Sequence, residues 1–516
     1  MPALSILIWL PAVCGLIGAI VAVRNERLPG LVALAGSVAT LGLAVAYIVQ
    51  YGAGSHGLKD VTDVVWISEL GIHYKLGVSG LNVVLVGMTA LLFFAAITAS
   101  NMRPWDRPRL FYFHMMLAES AVLGAFLAQD LALFVAFFDL MLIPFYFLIG
   151  GWGMGPDRVK ATIKLVIYTL VGSLLMLAAA IATGVLAAQQ NGGHVTFVLS
   201  QLQGLPLSTG SQEWIFLFFA AAFLVKMPAF PLHGWMPDGY RAMPSEVLMV
   251  FSGVLSKVGA YGFLAIVLPL FPRAAAHFQT LMLVIALLSI LYGSAMAFTQ
   301  THARLVAGYS SVAQLGFITL GVFALNPQGA QGALLQMVNH GLVVAPLFFI
   351  IALLADRRST GSSIGQHAGG SEDIREMGGI AFRAPVLAAV FLLVALATLA
   401  MPGSANFVGE FLILLGVFKA KLVIAIVAFA GVVMASVYAL RLFIRAMHNR
   451  VGEKVSSREM SVRDGLVLAP LLAVILFLAL YPQGALKRSE GSATTSVAAA
   501  HTDLTSNPST LATTEP

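Results

Sequence analysis

The chain has 516 residues, 59% of them hydrophobic and 10% charged, with a formal net charge of +6 and a mean hydropathy of +0.90. A soluble chain would carry about a quarter charged residues, so this composition gives an all-α polytopic membrane protein and excludes a soluble enzyme. The single cysteine, Cys14, excludes a disulfide framework, a thiolate zinc site and a cysteine-ligated iron–sulfur cluster, and with no HExxH and no GxGxxG the chain is expected to hold no metal or cofactor of its own.

Apolar runs of about twenty residues give fourteen membrane spans: 3–22, 30–51, 79–99, 109–128, 130–150, 161–187, 213–236, 244–270, 277–298, 303–325, 328–355, 384–418, 422–446 and 464–482. The first run lacks a basic flank and reads as a retained span. Polar loops are expected at 52–76, 189–212 and 356–384, the last a flexible Gly/Ser-rich connection. The seventh run is interrupted at Lys226-Met227-Pro228 and Pro231, the twelfth at Met401-Pro402-Gly403. These discontinuous helices stand five spans apart. A five-span unit crosses the membrane an odd number of times, so a second copy enters upside down, and paired Pro/Gly breaks mark inverted repeats. The expected organisation is three N-terminal helices in 1–108, two inverted five-helix repeats in 109–270 and 277–447, a last helix in 448–483 and a disordered Ser/Thr/Ala-rich tail in 484–516.

Charge distribution supports this threading. Twenty of the 29 basic residues fall in loops after odd-numbered runs, which places those loops in the cytoplasm and both termini outside. The net charge therefore reflects topology, and no nucleic-acid partner is expected. Lys226 and Lys257 are the only basic residues not accounted for by loops or span ends.

A lysine at the centre of a bilayer costs roughly 2.5–3.5 kcal/mol, so a chain keeps one only where it is paired, hydrated or used. Four ionisable groups lie in apolar surroundings: Asp139 in FVAFFDLMLIPFYFLI, Lys226 in WIFLFFAAAFLVKMPAF, Lys257 in VLMVFSGVLSKVGAYGFLAIVL, and Glu410 after the second break. Buried acids and amines whose partners approach and retreat gain and lose protons near neutrality, so the set reads as a proton relay. The bland alternative is a static buried pair that fixes helix packing. His340 and His233 can carry protons between the charges, and Gln314 can orient a water. Glu119 and Asp130 also lie in or beside apolar runs, Asp130 at the interface where the fourth and fifth meet; Lys164 is placed to snorkel to the cytoplasmic edge.

The strings KMPAFPLHGWMPDGY (226–240) and SGVLSKVGAYG (252–262) resemble the signature of the antiporter-like subunits of proton-pumping NADH:quinone oxidoreductase (respiratory complex I) and of multisubunit cation/proton antiporters. MPGSANFVGEFLILLGVF (401–418), with Glu410 where other branches usually carry lysine, is similar to the M-type branch, subunit M of complex I. The resemblance implies a translocase subunit in the bacterial inner membrane, beside subunits of L and N type. Flavin mononucleotide, iron–sulfur clusters and quinone would sit on other chains. Lys226 would be the central pumping lysine with Asp139 as its partner, Lys257 the bridging lysine, Glu410 the terminal group and His340 a member of the polar axis. Two positions depart from the family pattern: aspartate replaces glutamate at 139, and Gln314 stands where histidine is frequent. Other readings are a subunit of a cation/proton antiporter or membrane-bound hydrogenase, and a structural spacer that pumps nothing.

Overall fold

The computed structural model describes residues 4–21, 25–55, 57–356, 372–449 and 458–506. Twelve helices among them are long and apolar enough to cross a membrane. They are α1 (Leu4–Val21), α2 (Leu28–Tyr51), α3 (Val83–Ser100), α4 (Pro108–Leu127), α5 (Leu131–Trp152) and α6 (Arg158–Ala188). After the seventh run come α9 (Ser245–Leu270), α10 (Gln279–Thr299), α11 (Ala303–Phe323) and α12 (Pro327–Asp356), then α15 (Leu422–Met447) and α16 (Val462–Leu480). The two Pro/Gly-interrupted runs are each split, the seventh into α7 (Thr209–Lys226) and α8 (Met236–Ala242), the twelfth into α13 (Pro385–Ala397) and α14 (Ala405–Ala420).

Burial sorts these helices into layers. α11 is buried along its whole apolar window and α9 and α12 nearly so, whereas only about a third of the windows of α1, α2, α15 and α16 is covered. The outer helices remain apolar where they are exposed, which suits a lipid solvent and no other.

Both breaks are closed by side chains, because lipid offers nothing to a freed backbone group. At the first, Trp235 Nε1 donates to Val225 O at 3.0 Å and Phe230 N donates to Ser289 Oγ at 3.0 Å. At the second, Ser404 Oγ donates to Leu399 O, Asn406 Nδ2 to Thr398 O at 3.3 Å and Asn339 Nδ2 to Ala405 O at 2.5 Å. Gly403 takes a left-handed φ of 89°, as the turn after Pro402 requires.

Three sequence expectations change. The loop at 52–76 contains an antiparallel hairpin, β1 (Lys59–Ile67) and β2 (Ile72–Val78), so the fold is all-α in the membrane with one small sheet outside it. The β-branched residues Val61, Thr62, Val64, Val65 and Ile67 and the left-handed Gly71 turn carry the hairpin, and Asp63 pins it from within by binding His73 at 2.7 Å and Lys75 at 2.8 Å. The tail expected to be disordered forms helix α17 (Gln483–Ser506). Its composition is that of a disordered segment, but Ala485, Ser489, Ala493, Ser496, Val497 and Ala500 recur every three or four residues and form a buried stripe of small side chains. Residues 507–516, and residues 357–371 of the flexible connection expected at 356–384, lie outside the described residues.

α17 lies across the face that also bears the hairpin. Arg488 Nε donates to Ile48 O at 3.2 Å, Gly80 N to Ser492 Oγ at 3.1 Å and Ser496 Oγ to Leu264 O at 2.6 Å, while His501 Nδ1 meets Leu325 O at 2.8 Å. Asp130, expected to be interfacial, is the N-cap of α5: its carboxylate accepts from Leu133 N at 3.0 Å and, on the other oxygen, from His73 N in β2 at 3.1 Å. Asp130→Ala is expected to lower stability by about 1–2 kcal/mol through the lost cap and to loosen the hairpin. Asp130→Asn keeps an acceptor for Leu133 N but sets an NH2 donor against His73 N–H, so an intermediate loss is expected, and thermal unfolding of the purified protein distinguishes the two.

Candidate functional site

The four ionisable groups lie on α5 (Asp139), α7 (Lys226), α9 (Lys257) and α14 (Glu410). Lys226 ends α7 where Pro228 stops the helix, so its ammonium projects into the core at the break. It is 7% exposed, donates to Phe138 O at 3.3 Å and lies 4.1 Å from the centroid of the Phe138 ring. Asp139, the next residue on α5, is near enough to act on Lys226 electrostatically, but no ion pair within 4.0 Å joins them. Its carboxylate instead accepts from Ser173 Oγ on α6. The expected pair is therefore adjacent and open.

Lys257 sits between two π-helical segments of α9, Phe251–Leu255 and Phe263–Val267. Such widened turns release carbonyls from the helical ladder and recur at functional sites. Lys257 is fully buried and uses this, donating to Ser252 O at 2.7 Å and Ser256 Oγ at 3.2 Å. His340 on α12 is 4% exposed, neither ring nitrogen has a protein partner, and Lys257 acts on it electrostatically. The two helices meet glycine to glycine: a Cβ on Gly341 would stand 2.6 Å from Gly253 O and 2.5 Å from Met88 Sδ. Gly341→Ala is expected to force α9 and α12 apart, cost about 1–3 kcal/mol, and lower transport more than stability by separating Lys257 from His340. Thermal unfolding and transport measured on one preparation test it.

At the second break Glu410 is fully buried. Its Oε1 accepts from Gln314 Nε2 at 2.9 Å and from Gln336 Nε2 at 3.3 Å, and Gln336 Nε2 also reaches Gln314 Oε1 at 2.7 Å. Glu410 Oε2, Gln336 Oε1, Asn339 Oδ1 and Asn406 Oδ1 are buried without a protein partner. A cavity with room for about one water lies between Gln314, His340, Asn406 and Tyr438, and a second of similar size lies beside Lys226, Thr169 and Trp235. Unpaired polar atoms around such cavities are places for water.

His233 stands apart from this series. It follows the first break among the rings of Phe230 and Tyr292, with Nδ1 buried and unpaired. Lys164 pairs with Asp238 at 2.7 Å, both half-exposed, as its edge position suggested. Sequence reading missed Gln336, Ser173 and Tyr438. Gln336 carried a usable signal, an amide one helical turn before His340 on the same face of an apolar run; Ser173 and Tyr438 carried none.

Residues 128–437 match the family described as NADH:quinone oxidoreductase/Mrp antiporter, TM. NADH-quinone oxidoreductase subunit M of Rhodobacter capsulatus is 35% identical over 493 residues, covering 93% of either chain. Among solved structures, a chain of respiratory complex I from Thermus thermophilus with bound NADH superposes with a TM-score of 0.85 at 29% identity, covering 97% of this chain and 99% of that one. A chain of the Mrp complex from Dietzia sp. DQ12-45-1b gives 0.81 at 20% identity, covering 97% and 100%, a likeness of fold alone.

Proposed function

Because the chain belongs to the NADH:quinone oxidoreductase/Mrp antiporter transmembrane family, we propose that it is a proton-translocating membrane subunit of an NADH:quinone oxidoreductase, working through Asp139, Lys226, Lys257, His340 and Glu410. Its neighbours are other membrane subunits, of L and N type, in the bacterial inner membrane, with both termini on the outer side. Redox chemistry, with its flavin, iron–sulfur clusters and quinone, resides on other chains.

The observation that carries this reading is Lys226: an ammonium buried at a helix break, held by one carbonyl and one ring, beside a carboxylate it does not touch. A static pair would be closed, since an uncompensated buried charge is costly. An open pair is one state of a two-state element. Quinone reduction elsewhere biases Asp139 and Lys226 between closed and open. In the closed state the carboxylate stabilises the ammonium. On opening, Lys226 gives up its proton, which passes by way of Lys257, His340 and intervening water to Glu410 and then outward, and Lys226 is recharged from the cytoplasmic side. Gln314 and Gln336 hold one oxygen of Glu410 and leave the other free to take the proton. Reconstitution of the purified complex, with proton pumping measured against NADH oxidation, tests the proposal through Lys226→Ala and Glu410→Gln. Full pumping by either assembled variant removes it.

A further inference from the structure

Each half of the molecule carries the same three-part arrangement. In the second half an ionisable group on the broken run (Glu410, α14) faces a partner two runs earlier (Gln314, α11), and a neutral side chain from the run between (Gln336, α12) bonds to both. In the first half the broken run supplies Lys226, the run two before it supplies Asp139, and the run between supplies Ser173. Here the neutral side chain bonds to one member only, the carboxylate.

The placement of Ser173 follows from its neighbour. Gly172 lets α6 close on α7, where a Cβ would lie 3.2 Å from Ala222 Cα and 3.6 Å from Val225 Cβ, so the Ser173 hydroxyl sits beside the turn that carries Lys226. Lys226 meanwhile rests on the carbonyl and ring of Phe138, the residue preceding Asp139. Among the described residues the one charged group that acts on Asp139 is Lys226. Closing the pair therefore asks Lys226 to leave Phe138 and the Asp139 carboxylate to turn from the Ser173 hydroxyl toward it, an exchange of partners.

We propose that Ser173 is a positioning residue that competes with Lys226 for Asp139 and holds the pair in its open state. This rests on the proton-translocation reading and adds to it the part that sets how long the pair stays open. Removing the hydroxyl leaves the carboxylate with Lys226 as its remaining partner. A hydrogen bond to a charged group is strong enough to shift the open-to-closed ratio on the order of tenfold.

The test uses the whole assembled complex in vesicles, comparing Ser173→Ala and Ser173→Thr for coupled NADH oxidation, its KM values and the protons moved per NADH. Ser173→Ala is expected to lower coupled turnover by about threefold or more with KM unchanged, and Ser173→Thr, which keeps the hydroxyl, to recover most of it. Unchanged turnover in Ser173→Ala overturns the proposal, as does a Ser173→Thr complex no faster than Ser173→Ala. Should Ser173→Ala fail to assemble, Ser173→Cys decides in its place, since the thiol fills the site as a much weaker donor; unaltered turnover there also overturns it. A normal Ser173→Ala beside a non-pumping Lys226→Ala removes the serine's role alone, whereas a pumping Lys226→Ala removes the translocation reading itself.

Discussion

Complexes carrying Lys226→Ala are expected to assemble, to oxidise NADH when uncoupled, and to lose proton pumping by at least about tenfold. Assembly should survive because an ammonium in this setting is a burden on the fold: its desolvation is offset by one 3.3 Å hydrogen bond and one ring face. Alanine leaves a void, so Lys226→Met is the packing control, filling nearly the same space without charge. Both should fail alike if the proton on Lys226 matters. If methionine pumps and alanine does not, the lysine stem was filling space and the charge was incidental. Proton uptake and release per NADH in proteoliposomes, beside the uncoupled oxidation rate, separates these outcomes.

Glu410→Gln should have an effect of similar size, at least about tenfold on pumping, with thermal stability changed by no more than about 1 kcal/mol. The replacement is nearly isosteric and retains a carbonyl oxygen for the Gln314 and Gln336 amides, so the bonds at 2.9 and 3.3 Å can persist. What disappears is the capacity of the second oxygen, unpaired in the fold, to take a proton. Glu410→Asp keeps that capacity but retreats by one methylene from both amides, and an intermediate rate is expected. A Glu410→Gln complex that pumps normally would remove the proposed path, since its terminal proton site would be lost.

The transmembrane part of the fold was legible because hydropathy and the two proline-interrupted runs speak directly to the bilayer's demand for satisfied backbone. Lys226, Lys257, Asp139 and Glu410 were legible for the same reason, each being expensive where it stands. Legibility failed where the evidence is relational. Ser173 looks like any serine in a membrane helix until its hydroxyl is seen on Asp139. Whether Asp139 touches Lys226 depends on rotamers and on Phe138, which no spacing rule reaches. The tail was misread because composition argued for disorder while the spacing of Ala485, Ser489, Ala493 and Val497 argued for a buried helix face, and the spacing was the stronger evidence.

That last helix has a consequence for how the molecule comes to exist. Gln483–Ser506 follows every described transmembrane helix in the chain, so it is synthesised after all of them. The backbone sites it binds, at Ile48, Gly80, Leu264 and Leu325, belong to segments made early, midway and late. Until α17 is made, nothing in it ties those segments together; when it docks, it joins the first-made helices to both halves at once. A chain in which α17 has yet to dock is thus distinguishable from one in which it has, because the carbonyls of Ile48, Leu264 and Leu325 and the N–H of Gly80 pass from uncovered to bonded.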